Sequence, residues 1–385
     1  MVVKNTVAKK TITVLDLRDS PWVDGPGRTI LDCGFSLQEK GFRFLVGSFS
    51  GGSQKTCAYG QEAERRGLKL FTIKESKSFD FKVIGQILGI IDSENVDIVH
   101  THDFRSDVFG LLCAKLRGKP VVSTVHGWIK NDFKGELYTA LDKFLLRFFN
   151  KVITVSNRTK GLVESARVPK RKIMVIHNAL RVENYHINRN EQKLRSELGI
   201  DSDTILVGNI GRLSAEKGQL DFLKAGNIVR KSGARLKFLL VGIGPDQDEL
   251  EQYARDNGME DITVFAGYRK DMIDIYNSLD LIVQSSFTEG MPNVVLEASL
   301  MAVPVIATDV GGTSEIIENG ASGTLIEPGK INVLAERMLD FVKHRKRYVE
   351  MANQARQNIL VNFDHRKRVD KLEKLYLSLL GQQSL

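Results

Sequence analysis

The 385-residue sequence predicts an α/β protein built from two doubly wound, Rossmann-like domains facing one central cleft. Short β-branched apolar runs alternate with helix-like segments through both halves. The runs are apolar nearly throughout rather than polar at every second residue. A polar stretch, NYHINRNEQK at 184–193, separates the two series. Strands apolar on both sides belong to parallel sheets covered by helices on both faces. Two such series, divided by a polar connection, predict two doubly wound domains.

In the first half the strands read at 11–17, 42–47, 68–73, 97–101, 120–125, 152–155 and 172–176. Helical spacing lies between them at 27–40, 58–66, 81–94, 105–117 and 135–149. The rhythm restarts with strands at 204–210, 236–241, 262–266, 280–284, 304–307 and 323–326. The first domain is expected over 1–182 and the second over 183–363, followed by an amphipathic helix in DHRKRVDKLEKLYLSLL (364–380) within the closing segment 364–385.

Composition bounds the function. With 42% hydrophobic and 26% charged residues the chain is neither disordered nor fibrous. No run approaches the roughly 20 apolar residues of a membrane span. The start, Met-Val-Val-Lys with Lys9 and Lys10, leads to an apolar run broken by Asp16, which is not a signal-peptide pattern. Cys33, Cys57 and Cys113 are odd in number and scattered, as expected of a reducing, cytoplasmic setting. The net charge of +8 is uneven: residues 1–190 carry 31 Lys+Arg against 19 Asp+Glu, and residues 191–385 carry 24 against 28. A basic first half suits an anionic partner, either nucleic acid or an anionic membrane surface bearing a lipid-linked substrate. The helix around 137–151 sets Lys143, Arg147 and Lys151 beside Phe144, Phe148 and Phe149, the pattern of a membrane-surface helix, although its apolar stripe also reads as core.

In a doubly wound sheet, ligands bind outside the carboxyl ends of the strands. GNIGRLSAEKGQ (208–219) follows one strand, and Gly211, Arg212 and Lys217 there suit a diphosphate, with Arg as a fork and Lys as a mobile point charge. VGIGP (241–245), with Gly244, is a tight strand-to-helix turn that lacks a third glycine. TEGMPNVVLEA (288–298) sets Glu289 before a helix start formed by Gly290, Met291, Pro292, Asn293 and Val294, whose N–H groups favour phosphate. Glu297, flanked by Leu296 and Ala298, is expected to be buried and so to need donors, such as ribose hydroxyls. His126 ends the strand PVVSTV. His100 and His102 flank another strand end, so the three histidines could be metal ligands; nothing in the sequence brings His126 near the other two, and no metal is expected. Gly25 and Gly27 lie in the loop after the first strand, which departs from a dinucleotide fingerprint because position 30 is Ile.

Taken together, the loop at 25–27, His126, GRLSAEKG, VGIGP, TEGMPNVVLEA, VGGTSEII (310–317) and ASGTLIEPGK (321–330) resemble, in order and spacing, a retaining GT-B glycosyltransferase of the family 4 type. The resemblance spans essentially the whole chain, and the two glutamates with seven residues between them are its most specific part. It implies a nucleotide-diphosphate sugar held by the second domain. It further implies a glycan or lipid-linked acceptor held by the first, in cell-surface polysaccharide or glycoconjugate synthesis. Arg212 and Lys217 match the diphosphate pair, Glu297 the ribose glutamate and Glu289 the one facing the sugar. His126 matches the histidine at the transferred sugar, Gly27 a phosphate contact, and Tyr268 with Arg269 the base pocket. The resemblance also implies metal independence, no cofactor and a C-terminal helix that crosses back to the first domain. Peripheral contact with the inner face of the plasma membrane fits such an acceptor. VIHNAL (175–180) has Ala179 where glycine is usual. A nucleotide-sugar epimerase shares this fold, but would need acid/base carboxylates in the cleft. A nucleic-acid-binding protein would explain the charge but not the strand-end motifs.

Overall fold

The computed structural model describes residues 11–49, 57–76, 79–128, 133–189 and 193–382. The charged N-terminus discussed above and residues 190–192 of the polar divide lie outside the described residues. The first series runs β1 (Thr13–Arg18), α1 (Gly25–Glu39), β2 (Arg43–Phe49), α2 (Ala58–Arg65), β3 (Lys69–Ile73), α3 (Lys82–Ser93) and β4 (Ile98–Thr101). It continues through α4 (Phe104–Leu116), β5 (Val121–Val125), α5 (Phe133–Leu145), β6 (Lys151–Thr154), α6 (Asn157–Ser165) and β7 (Ile173–Val175). The second series runs α7 (Lys193–Glu197), β8 (Ile205–Ile210), α8 (Gln219–Arg230), β9 (Leu236–Val241), α9 (Gln247–Asp256), β10 (Thr263–Phe265) and α10 (Met272–Ser278). There follow β11 (Leu281–Gln284), α11 (Asn293–Leu300), β12 (Val305–Thr308), α12 (Thr313–Ile316) and β13 (Thr324–Ile326). Three helices close the chain: α13 (Ile331–Lys343), α14 (Arg345–Asn362) and α15 (His365–Leu379).

The strands form two sheets of order β3-β2-β1-β4-β5-β6-β7 and β10-β9-β8-β11-β12-β13. Every pairing is parallel; Leu15, for example, lies between Leu45 and Val99. β1 and β11 are buried along their whole length, which explains their largely apolar sequences. In each sheet the strand order reverses direction once, between β1 and β4 and between β8 and β11. Consecutive connections leave to opposite faces there and open a crevice.

Predicted and observed strands agree in number and order. The helix expected from 27 starts at Gly25, because the Asp24 carboxylate caps it by accepting from Gly27 N at 2.8 Å. α15 packs on the first domain: Arg368 donates to the carbonyls of Ile176 and His177 at 2.8 and 2.6 Å, and Lys40 holds Asp370 and Glu373. The core reading of the 137–151 stripe needs correction. Phe149 is fully buried, but Leu137, Leu141, Phe144 and Phe148 stand 45–50% exposed. Ala179 is buried and is not among the residues with positive φ, so its turn does not use the conformation that glycine would permit. Among the described residues no helix is long and apolar enough to cross a membrane.

Candidate functional site

The carboxyl ends of the two sheets meet in a seam of direct contacts. From the first domain, Asn157 binds Glu315 through its backbone and side-chain nitrogens at 2.7 and 2.6 Å, and His177 reaches the same carboxylate at 2.8 Å. Arg158 donates to the Asp309 carbonyl at 2.8 Å. Asn178 donates to Met291 O and Asn293 Oδ1 at 3.1 and 3.0 Å, and Asn293 in turn reaches Thr29. Gly290 lies so close to the strand end of β5 that a Cβ there would stand 1.8 Å from His126 O. Gly25 faces the Asn293 side chain, and a Cβ on Gly27 would fall 2.2 Å from an Arg18 nitrogen. These two glycines therefore serve the seam and a buried arginine.

After β8 the chain passes Gly211 and Arg212, makes a 3-10 turn through Lys217 and enters α8 at Gly218. Gly218 has φ of 65°, and a Cβ there would lie 2.3 Å from Ser285 O, so the turn closes onto the loop after β11. That closeness brings Lys217 Nζ to 2.7 Å from Glu289, whose carboxylate also accepts from Ser286 at 2.8 Å and Gln284 at 3.2 Å. Arg212, earlier in the same turn, is exposed. Gly244 fits under Leu213 O, where a Cβ would come within 2.0 Å. Met291 and Pro292 are buried, Val294 is half-buried, and no side chain caps the N-terminus of α11. Lys217 and Glu289 thus join the turn after β8 to the loop between β11 and α11.

Glu297, one turn further along α11, is 1% exposed. Its donors come from the protein: Tyr276 Oη at 2.7 Å and Arg28, from α1 of the first domain, at 2.8 Å. Tyr185 joins them, and burial together with the Glu297 charge pushes both phenols up from their ordinary range. Glu297 lines a cavity of about 690 Å³ with Asn293, Arg28, Tyr185, Lys270 and Met272. Tyr268 and Arg269 do not line it: Tyr268 is 55% exposed, and Arg269 is engaged by Glu197 and Asp271. Nothing in the sequence signals Arg28, Tyr185 or Tyr276, because each is an unremarkable residue of its own segment.

The histidines do come together. His102 Nε2 lies 2.7 Å from Asp16 Oδ2, and His102 Nδ1 lies 3.2 Å from His126 Nε2. Their acidic neighbour is Asp16, in the middle of β1, and parallel pairing with β4 supplies the proximity. Asp16, His100 and His102 are close enough to hold a metal ion. Yet both His100 nitrogens already bind Tyr376 Oη at 2.6 Å and Thr124 Oγ1 at 2.7 Å, and Asp16 touches His102 directly. The nitrogens of His100 and His102 are therefore spent on hydrogen bonds, whereas Asp16 Oδ1 is buried without a partner. Burial lowers all three imidazoles well below the usual range, which keeps them neutral.

Two family models cover most of the chain: one described as Glycosyltransferase Family 4 matches residues 23–184, and one described as Glycosyl transferases group 1 matches 190–358. The UDP-Gal:alpha-D-GlcNAc-diphosphoundecaprenol alpha-1,3-galactosyltransferase of Escherichia coli is 28% identical over 78% of this chain and 80% of its own length. The N-acetyl-alpha-D-glucosaminyl L-malate synthase of Bacillus anthracis is 26% identical over 80% and 82%. Among solved structures, Anabaena Alr3699/HepE in complex with UDP-glucose superposes with a TM-score of 0.86 at 22% identity, covering 95% of this chain and all of that one.

Proposed function

Because the chain belongs to the group 1 glycosyltransferases and has their GT-B fold, we propose that it transfers a sugar from a nucleotide-diphosphate donor to a hydroxyl of a lipid-linked glycan, with retention of configuration and without a metal. One observation carries this reading: Lys217, from the turn after β8, pairs at 2.7 Å with Glu289 in the loop that leads from β11 to the uncapped start of α11, with Arg212 exposed earlier in the same β8–α8 turn. A leaving diphosphate gains negative charge as its bond to the sugar breaks, and fixed donors aimed at that charge lower the barrier. Glu289 then orients the sugar, Glu297 takes the ribose, and the cavity beside Lys270 and Met272 receives the base. In the retaining step, the bond from the anomeric carbon to the phosphate oxygen breaks. A bond to the acceptor oxygen forms on the same face, and the leaving phosphate takes the acceptor's proton.

A thermal-shift panel of UDP-, GDP- and ADP-sugars tests donor binding, since a bound donor raises the melting temperature by mass action. No shift with any nucleotide sugar would remove the reading. Proton NMR of the product's anomeric coupling tests retention, and full activity in excess EDTA tests metal independence.

The lipid-linked acceptor is supported by α5 and the turn after it, where Leu137, Leu141, Phe144 and Phe148 stand half-exposed; Leu112 and Leu116 of α4 are exposed as well. Arg147 lies over the Phe144 ring at 5.4 Å, and Lys115 and Lys172 stand close enough to repel each other's charge. Exposed apolar side chains within a basic surface suit an anionic bilayer. The acceptor named for the Escherichia coli relative is itself lipid-linked.

A further inference from the structure

We infer that Asp16 and His102 are positioning residues that dictate which nitrogen of His126 carries its proton, leaving His126 Nδ1 as an acceptor for a hydroxyl of the donor's sugar. The identity of that ligand rests on the glycosyltransferase reading above; the proton arrangement does not.

A neutral imidazole has one N–H and one lone pair, so a chain of them has linked tautomers. An ionised carboxylate only accepts. Asp16 Oδ2, 2.7 Å from His102 Nε2, therefore requires the His102 proton on Nε2. His102 Nδ1 is then a lone pair, and at 3.2 Å it can be satisfied only by a proton on His126 Nε2. The His126 proton is thereby committed inward, and its Nδ1 is left bare. The two rings also stack, 29° between planes and 5.5 Å between centroids, which restrains both from turning out of the chain. His100 does not compete, because Tyr376 and Thr124 hold its nitrogens.

His126 Nδ1 is buried without any partner, on the residue whose carbonyl abuts Gly290 next to Glu289. A buried polar atom left unpaired is unfavourable until something pairs with it, and a sugar hydroxyl carries the proton needed.

The charge on Asp16 sets the direction of the chain. Burial pushes its carboxyl up to about 7, against the opposing pull of His100 and Arg18. Also facing it are His102 and Asp103 after β4, Tyr59 of α2, Cys33 of α1 and Tyr376 of α15, with Arg368 behind His100 and Cys33. Protonated on Oδ2, the oxygen that faces His102, Asp16 becomes a donor there. Both histidines then reverse, and His126 presents an N–H at Nδ1.

Nitrogen-15 NMR of histidine-labelled protein reads this directly, because protonated and bare ring nitrogens resonate in separate ranges, and the spectrum of His126→Asn assigns the resonances. At about pH 8.5, well above the Asp16 transition, His126 is expected protonated on Nε2 with Nδ1 bare; near pH 5.5 the pattern reverses. In Asp16→Asn the pH-driven reversal disappears. Protonation of His126 on Nδ1 at the higher pH, or an unchanged pH course in Asp16→Asn, overturns the inference. Should Asp16→Asn fail to fold, the wild-type titration decides alone. No nucleotide sugar enters the experiment, so the relay can fail while donor binding stands, and the reverse.

Discussion

Lys217 and Glu289 hold each other at 2.7 Å, and both are partly open to solvent. A pair of that kind contributes about 1 kcal/mol or less to stability. Lys217→Ala is therefore expected to keep the melting temperature within a few degrees. Loss of one charge at the leaving diphosphate should lower kcat/KM by about 100-fold or more, and Arg212→Ala should behave alike. Melting curves and a transfer assay on the same samples check both halves. Glu297 is different because it is buried: Glu297→Ala strands Arg28 and two phenols and should destabilise the fold by about 3 kcal/mol or more, read by urea unfolding. Arg212, Lys217, Glu289 and Glu297 were legible because their residue types make sense only after a strand or at a helix start. Arg28, Tyr185 and Tyr276 were not, since their meaning arises when a helix of one domain, a linker and a helix of the other converge on one carboxylate.

At the scale of elements, the close approach of β5 to the loop before α11 leaves no room for a side chain at Gly290. Gly290→Ala should part the seam at His126 and reduce transfer steeply, while far-UV circular dichroism stays unchanged, because neither sheet contains the residue. The α5 surface carries its own expectation. Phe144→Ser with Phe148→Ser should abolish co-sedimentation with anionic vesicles at low salt and leave stability nearly unchanged, since both rings are already half in water. Strands and helices were legible because burial on both faces, or on one, imprints a period on the sequence. The orientation of α5 was not: spacing shows that Phe144 and Phe148 share a face, but not whether that face meets core or solvent. The histidine cluster failed to appear for a related reason. His100 and His102 advertise themselves, but Asp16 looks like an interruption in an apolar strand until sheet order sets β1 beside β4.

At the scale of the whole molecule, α15 returns to the first domain and ties the end of the chain to its start. His365, 3% exposed at the head of that helix, is pushed down to about 4 by burial and by Arg181 and Arg368. Its folded value lies below its unfolded value, so the unfolded chain binds the extra proton, and stability falls as pH drops from the unfolded range of about 6.5 toward 4. His365→Gln should flatten that part of the pH dependence of the urea midpoint. The contact of Arg28 with Glu297 has a wider consequence. The same carboxylate is claimed by the opposite domain and, in the proposed function, by the ribose of the donor. Nucleotide affinity and domain association are then thermodynamically linked: each mole of ribose bound must displace an internal competitor, and apparent affinity is reduced by the fraction of molecules in which that competitor is seated. Arg28→Ala should bind the nucleotide several-fold tighter than wild type by calorimetry. The enzyme's grip on its donor would thus be tempered by its grip on itself.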